Sequence, residues 1–331
     1  MKFDYGFLLP LTEAEAFFAV LSQEMPVFAP TRLQEGFLET GFKRIRSFKE
    51  VSVPDLGPST FSPKHLFFPS EETLFSYDGK GGVVDGKGEA TPFLVLGLKP
   101  CDLAALQVTD KQFACGGYAD EYYFSRRRAG LLFVFACYAS NKHCFCESMG
   151  TGQAKDGYDA LFLRHSRGFV IKPGSKEGLA LLKKAKLKKI KALPKNPVPS
   201  CTKTLDHEKA EELPKHFDSK KWIKLAEKCL DCGACTSVCP TCTCFDCFDE
   251  NDFKGGGSRK RCWASCMFPS FTRMAGGHCI RQSRESRLKQ FAYHKLNYFK
   301  DAHGVQMCIG CGRCVDACLR DIDVFDLTNK L

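Results

Sequence analysis

The sequence predicts a chain of two unlike parts, an α/β N-terminal domain and a smaller α+β domain organised around a repeated cysteine pattern. Three observations lead there. Residues 1–172 set short, continuous apolar runs among helix-like stretches, the pattern of buried strands joined by helices. Residues 194–218 are rich in Pro, Lys and Ser and lack apolar periodicity, as a linker does. Beyond them one cysteine spacing occurs twice, at 229–240 and 308–318. The expected domains are therefore 1–193 and 219–331, with the linker between.

The elements follow in chain order. Thr12 with Glu15 three residues on makes a capping-box pattern ahead of a helix over 14–21. Residues 93–98 (FLVLGL) read as a buried strand, and Pro100 opens a helix with Asp102 in its first turn. Residues 131–136 are a second buried strand, and 158–163 with 168–171 form a hairpin around His165-Ser-Arg167. The glycines of Gly79-Lys-Gly-Gly82 and Gly86-Lys-Gly88 mark loops, since they match neither a Walker pattern nor the dinucleotide fingerprint. The basic run 183–191, with apolar Leu181, Leu182, Ala185, Leu187 and Ile190, predicts an amphipathic helix with a solvated basic face. No aromatic residue interleaves those lysines, which argues against a nucleic-acid site. Residues 220–228 and 281–299 are the helices expected of the C-terminal part.

Composition narrows the class. At 331 residues, 44% apolar and 26% charged, the chain is an ordinary folded protein with room for two cores. No apolar run approaches the roughly 20 residues of a membrane span, and the start lacks a basic, apolar, small-residue leader. A cytoplasmic location is the expectation. Twenty cysteines in such a compartment argue for metal ligands, because disulfide frameworks belong to small secreted domains. The formal charge of +10 counts those cysteines as neutral; as metal-bound thiolates they offset much of it.

The repeat supplies the chemistry. Cys229-Leu-Asp-Cys232-Gly-Ala-Cys235-Thr-Ser-Val-Cys239-Pro240 and Cys308-Ile-Gly-Cys311-Gly-Arg-Cys314-Val-Asp-Ala-Cys318 both follow C-x2-C-x2-C-x3-C. Three cysteines at this interval on a tight loop reach three irons of one cubane, while the fourth, on the next helix, points elsewhere. In proteins with two such clusters the fourth cysteine serves the other one. The expected ligand sets are Cys229, Cys232, Cys235 and Cys318 for a first 4Fe–4S cluster, and Cys308, Cys311, Cys314 and Cys239 for a second. Gly233, Gly310 and Gly312 let the loop backbone turn its amides toward sulfur. Zinc takes four ligands and would leave the third and fourth cysteines of each run unexplained. The C-terminal domain is thus expected to be a ferredoxin-like dicluster domain, of the alpha-helical ferredoxin type, with a long insert between its motifs.

That insert is 68 residues long and holds Cys242, Cys244, Cys247, Cys262, Cys266 and Cys279. They suit either a further metal or small buried residues around a cluster. Arg261, Arg281, Arg284 and Arg287 either counter cluster charge or face a partner. In the N-terminal domain Cys101, Cys137, Cys144 and Cys146 lie at or beyond the ends of the two buried strands. They are candidates for a third 4Fe–4S cluster, against the alternative of independent buried cysteines.

Over roughly residues 60–320 the chain resembles the family that contains the sulfhydrogenase beta (iron–sulfur) subunit and its iron–sulfur counterpart in anaerobic sulfite reductase. The resemblance is carried by Pro63-Lys-His-Leu-Phe-Phe-Pro69, Leu96-Gly-Leu-Lys-Pro-Cys-Asp-Leu103, Tyr122-Tyr-Phe-Ser-Arg-Arg127 and Cys144-Phe-Cys146. It continues through Cys239-Pro-Thr-Cys-Thr-Cys-Phe-Asp246, Cys262-Trp-Ala-Ser-Cys266, 271–277 and His294-Lys295. It implies an electron relay that links a flavin/NAD(P)H-binding subunit with a catalytic redox subunit. The catalytic partner would be of nickel–iron hydrogenase, sulfite reductase or heterodisulfide reductase type. Cys247 and Cys279 depart from the family's expected ligands. The rival reading is a redox enzyme subunit whose N-terminal domain itself binds flavin or substrate.

Overall fold

The computed structural model describes residues 3–34, 39–53, 57–86 and 90–331. Lys87 and Gly88, part of the second expected glycine loop, lie outside them. The centre of the N-terminal part is a mixed eight-stranded sheet in the order β10-β1-β9-β8-β7-β6-β2-β3. Its strands are β1 (Gly6–Pro10), β2 (Val27–Arg32), β3 (Thr40–Arg44), β6 (Phe93–Leu98), β7 (Gly130–Phe135), β8 (Ala160–His165), β9 (Gly168–Pro173) and β10 (Lys188–Ile190). Strands β2, β6, β7 and β8 are mutually parallel and the others pair antiparallel. Every residue of β6 is buried, which is why it reads as a continuous apolar run.

Helices cover both faces. On one face α1 (Ala14–Glu24) and α5 (Lys176–Lys184) bury Phe17, Phe18, Leu21, Leu181 and Leu182 against Leu94, Phe133 and Phe162. On the other, α2 (Lys64–Phe67), α3 (Pro100–Phe113) and α4 (Glu121–Ala129) bury Phe67, Leu103, Leu106, Phe113 and Tyr123 against Val95 and Leu132.

Two local expectations change. Thr12 does not cap α1; it lies in a 3-10 turn, and the Glu15 carboxylate instead accepts from the Ser47 hydroxyl and the Phe48 and Lys49 amides. The basic run is not one helix. It ends at Lys184, Lys186 takes a left-handed φ of 52°, and the chain returns as edge strand β10 beside β1. Lysines on an edge strand keep other strands from adding to it.

The rest is built from α6 (His207–Glu212), α7 (Lys221–Ala226), α8 (Ala234–Val238), α9 (Arg284–Tyr293), α10 (Phe299–His303), α11 (Arg313–Asp316) and α12 (Val324–Thr328). The segment expected as a linker is packed: it contains α6, and Leu205, Ala210 and Leu213 join the core of Trp222, Phe291, Tyr293 and Phe325. The expected helix over 281–299 begins at Arg284 and continues, through a π-helical stretch at His294–Tyr298, into α10.

The insert also reaches across the molecule. Its strands β11 (Phe245–Asn251) and β12 (Gly257–Trp263) form a hairpin, and β12 pairs with β4 (Glu71–Tyr77), which pairs with β5 (Val83–Asp85). Arg261, at 3% exposure, fixes the join through Glu72 Oε1 at 2.6 Å and Asp120.

Candidate metal centre

All twenty cysteines are free thiols. The short helices α8 and α11 follow the two motif loops and pack against each other. Each starts from a glycine at positive φ, Gly233 at 70° and Gly312 at 76°, and Gly310 within the second loop has φ 68°. The Gly310 turn aims its amide at sulfur, donating to Cys308 Sγ at 3.4 Å, and after the second motif Ile322 N–H donates to Cys318 Sγ at 3.4 Å.

Two cavities lie between the motifs. One is lined by Cys229, Cys232, Cys235 and Cys318, with Met267 and Leu288 among its apolar walls. The other is lined by Cys239, Cys308, Cys311 and Cys314, with Phe145 and Lys295. Phe291, Cys314 and Phe325 border both, so the two spaces share a wall. The geometry therefore brings the last cysteine of each motif to the cavity of the other. Burial pushes the thiols of Cys235 and Cys308 up to about 12. Such thiols stay neutral alone, and a bound metal is what converts them to thiolate ligands. Paired sets of four thiols, apolar walls and amides turned to sulfur fit 4Fe–4S clusters. Among the described residues, no three His, Cys, Asp or Glu side chains gather closely enough to hold a single metal ion.

The loop Cys239–Cys244 is held by two buried lysines. Lys64 Nζ donates to the Cys242 carbonyl at 3.1 Å and sits 3.8 Å over the Trp263 ring. Lys295 Nζ donates to Thr241 Oγ1 at 2.9 Å. Of the insert cysteines, Cys242 and Cys266 are buried, Cys244, Cys262 and Cys279 are half-buried, and Cys247 is exposed. A thiol hydrogen bond from Cys266 draws Cys244 down to about 6. Arg284 and Arg287 both pair with Asp231 of the first motif, at 3.0 and 2.8 Å.

A third group of thiols lies beside the second motif. The loop carrying Cys144 and Cys146 docks there, with Phe145 N–H donating to the Gly310 carbonyl at 2.8 Å and Thr151 Oγ1 to the Ile309 carbonyl at 2.6 Å. Cys146 Sγ lies 3.9 Å from Cys201 Sγ. Burial raises the thiols of Cys137, Cys144 and Cys146, Cys144 to about 12, and Cys201 adds to the rise in all three. Cys201 therefore joins Cys137, Cys144 and Cys146 as a candidate for this group. Cys101, the fourth expected member, packs with Ala105, Ile309 and Cys311, and Cys146 adds to the rise of its buried thiol. Nothing in the sequence marks Cys201, which sits in the Pro-rich segment expected as a linker. There its amide donates to Glu147 Oε2 at 2.8 Å, and the Ser200 carbonyl accepts from Ser140.

Fold and thiol geometry together define an iron–sulfur protein with a dicluster domain, and similarity to known proteins agrees. A family model described as "4Fe-4S dicluster domain" matches residues 228–322. The chain is 32% identical over 315 residues, 91% of each chain, to sulfhydrogenase 2 subunit beta of Pyrococcus furiosus. No solved structure gives a significant match. The chain belongs to the family of the sulfhydrogenase beta subunit. No helix among the described residues is long and apolar enough to cross a membrane.

Proposed function

We propose that the chain is the electron-relay subunit of a multisubunit oxidoreductase. It carries electrons from a flavin/NAD(P)H subunit to a catalytic subunit, or back. That catalytic subunit is of nickel–iron hydrogenase, sulfite reductase or heterodisulfide reductase type. The observation that carries this reading is the pair of four-thiol cavities sharing one wall. When bound, 4Fe–4S clusters supply one-electron transfer. Cys229, Cys232, Cys235 and Cys318 would hold one, and Cys308, Cys311, Cys314 and Cys239 the other. Cys137, Cys144, Cys146 and Cys201 would hold a third, next to the second.

The surrounding residues support a relay. Phe291 and Phe325 are buried and line both of the first two sites, and Phe145, fully buried with its ring 5.1 Å from that of Phe325, lines the second and belongs to the Cys144–Cys146 loop. The first site lies nearest the surface: Cys232 is exposed, and Leu230 and Leu319 on its rim are 55% and 80% exposed. A partner's redox centre would approach there.

The test is Cys318→Ser in protein purified without oxygen, titrated with reductant and followed by electron paramagnetic resonance. Loss or conversion of the first cluster with the second retained is expected. Both clusters spectroscopically intact would contradict the crossed ligand sets.

The rival reading has one supporting observation. A cavity of about 230 Å³ at the carboxyl end of the parallel strands is lined by Lys99, Phe135, Tyr138, Phe162, Arg164 and Phe169, where open α/β sheets bind ligands. A chromophore released on denaturing the isolated chain would favour that reading.

A further inference from the structure

The linings of the two motif cavities differ in charge, and Lys295 is the cation that lines the second. Lys295 is 2% exposed and lines the second cavity beside Cys239, Cys308, Cys311 and Cys314. It stands in the π-helical stretch His294–Tyr298 between α9 and α10. Such a stretch admits an extra residue to a helical turn and is frequent at functional sites. Its backbone carbonyl accepts from the amides of Met307 and Cys308, at 2.9 and 3.1 Å, and so fixes the start of the second motif. Its ammonium donates to Thr241 Oγ1 at 2.9 Å, and Thr241, at 0% exposure, has that same oxygen 3.4 Å from Cys239 Sγ. An ammonium has donors only, so the Thr241 hydroxyl accepts from Lys295 and keeps its own hydrogen for the sulfur. A buried positive charge is thus linked through one hydroxyl to the cysteine that crosses from the first motif to the second site. Arg320, the one cationic residue lining the first cavity among the described residues, is exposed to solvent.

We infer that Lys295, acting through Thr241 on Cys239, raises the reduction potential of the second cluster above that of the first and so makes the second site the electron-collecting step of the relay. The inference rests on the cluster assignment proposed above. Reduction adds a negative charge to a cluster, and a fixed cation in a low-dielectric site favours the more negative state. Hydrogen bonds to ligand sulfur act in the same direction. Among the described residues, the lining of the first cavity holds neither a buried cation nor a hydroxyl, and the buried Arg287 beside its motif is neutralised by Asp231 at 2.8 Å. Lys295 is a positioning and tuning residue: it lines the cavity but is not a ligand, and its hydrogen bond toward the ligand sulfur runs through Thr241.

The experiment is a redox titration of the anaerobically purified chain, followed by electron paramagnetic resonance, with iron and sulfide measured on each sample. Lys295→Met and Thr241→Val should each lower the midpoint of one reduction step and leave the others in place, Lys295→Met by more. Lys295→Arg should hold that step near its wild-type position. Full iron content with every midpoint unchanged in Lys295→Met, or an equal shift of all steps, would overturn the inference. If Lys295→Met fails to retain iron, Thr241→Val decides: an unmoved midpoint overturns the inference and a lowered one supports it. Wild-type protein without clusters would instead overturn the assignment on which the inference rests.

Discussion

Arg313 sits in the second motif, where sequence alone makes it one of 48 basic residues. In the folded chain it is 3% exposed, pairs with Asp102 at 2.7 Å and donates through Nε to the Ser59 carbonyl at 2.7 Å. Asp102 is itself 1% exposed and holds the first turn of α3 by accepting from the Lys99 amide. A single buried ion pair therefore ties the cysteine motif to the α/β sheet. Removing one partner leaves the other charge uncompensated, so Asp102→Asn should destabilise the chain by about 3–5 kcal/mol. Asp102→Asn with Arg313→Met should recover much of that loss, as read by anaerobic chemical unfolding. A loss in the double variant equal to the sum of the losses in Asp102→Asn and Arg313→Met alone would show that the pair carries no coupling. The helix-start role of Asp102 is legible from its place after Pro100; its partner is not, because 211 positions separate the two in the chain. Cys201 is hidden for a different reason: a lone cysteine among prolines and lysines has no spacing to announce it.

At the scale of elements, the legible parts are those whose environment is uniform along the chain. Strands β6 and β7 are buried on both faces and so read as apolar runs, and the β8–β9 hairpin lies where its turn residues place it. The β11–β12 hairpin is not legible, because β11 is exposed at every position and offers no alternation, and β4, which completes its sheet, lies about 190 residues away. The motif loops hold a second role beyond metal binding. A Cβ on Gly310 would lie 2.7 Å from the Cys146 amide nitrogen and the Phe145 carbonyl carbon, and its φ of 68° is unfavourable for other residues. The glycine lets the second motif and the Cys144–Cys146 loop meet backbone to backbone. Gly310→Ala should cost more than about 1 kcal/mol and release iron from the third site as well as the second. Thermal unfolding with iron analysis reads both effects. Unchanged stability and iron would mean that the loops do not need this approach.

Across the whole molecule the three thiol groups follow one another: the first opens toward the surface, the second shares its wall, and the third lies where the sheet's loops dock on the second motif. The crossed pairing of the motifs can be reasoned from spacing, because C-x2-C-x2-C-x3-C has a fixed stereochemistry. The division into separate domains is less legible, since the insert contributes β12 to a sheet begun by β4 and the expected linker supplies core residues. Charge balance belongs to this scale too. The basic excess is placed partly inside, at Lys64, Lys295 and Arg313, where it faces thiols that become anionic on binding metal.

The most direct measurement is iron and acid-labile sulfide per chain, on anaerobically purified wild type, Cys201→Ser and Cys101→Ser. About twelve irons with matching sulfide are expected in the wild type and in Cys101→Ser, and about eight in Cys201→Ser, four for each 4Fe–4S site. About eight in the wild type would contradict the third site, and a chain loaded with zinc, or free of iron, would contradict the relay itself.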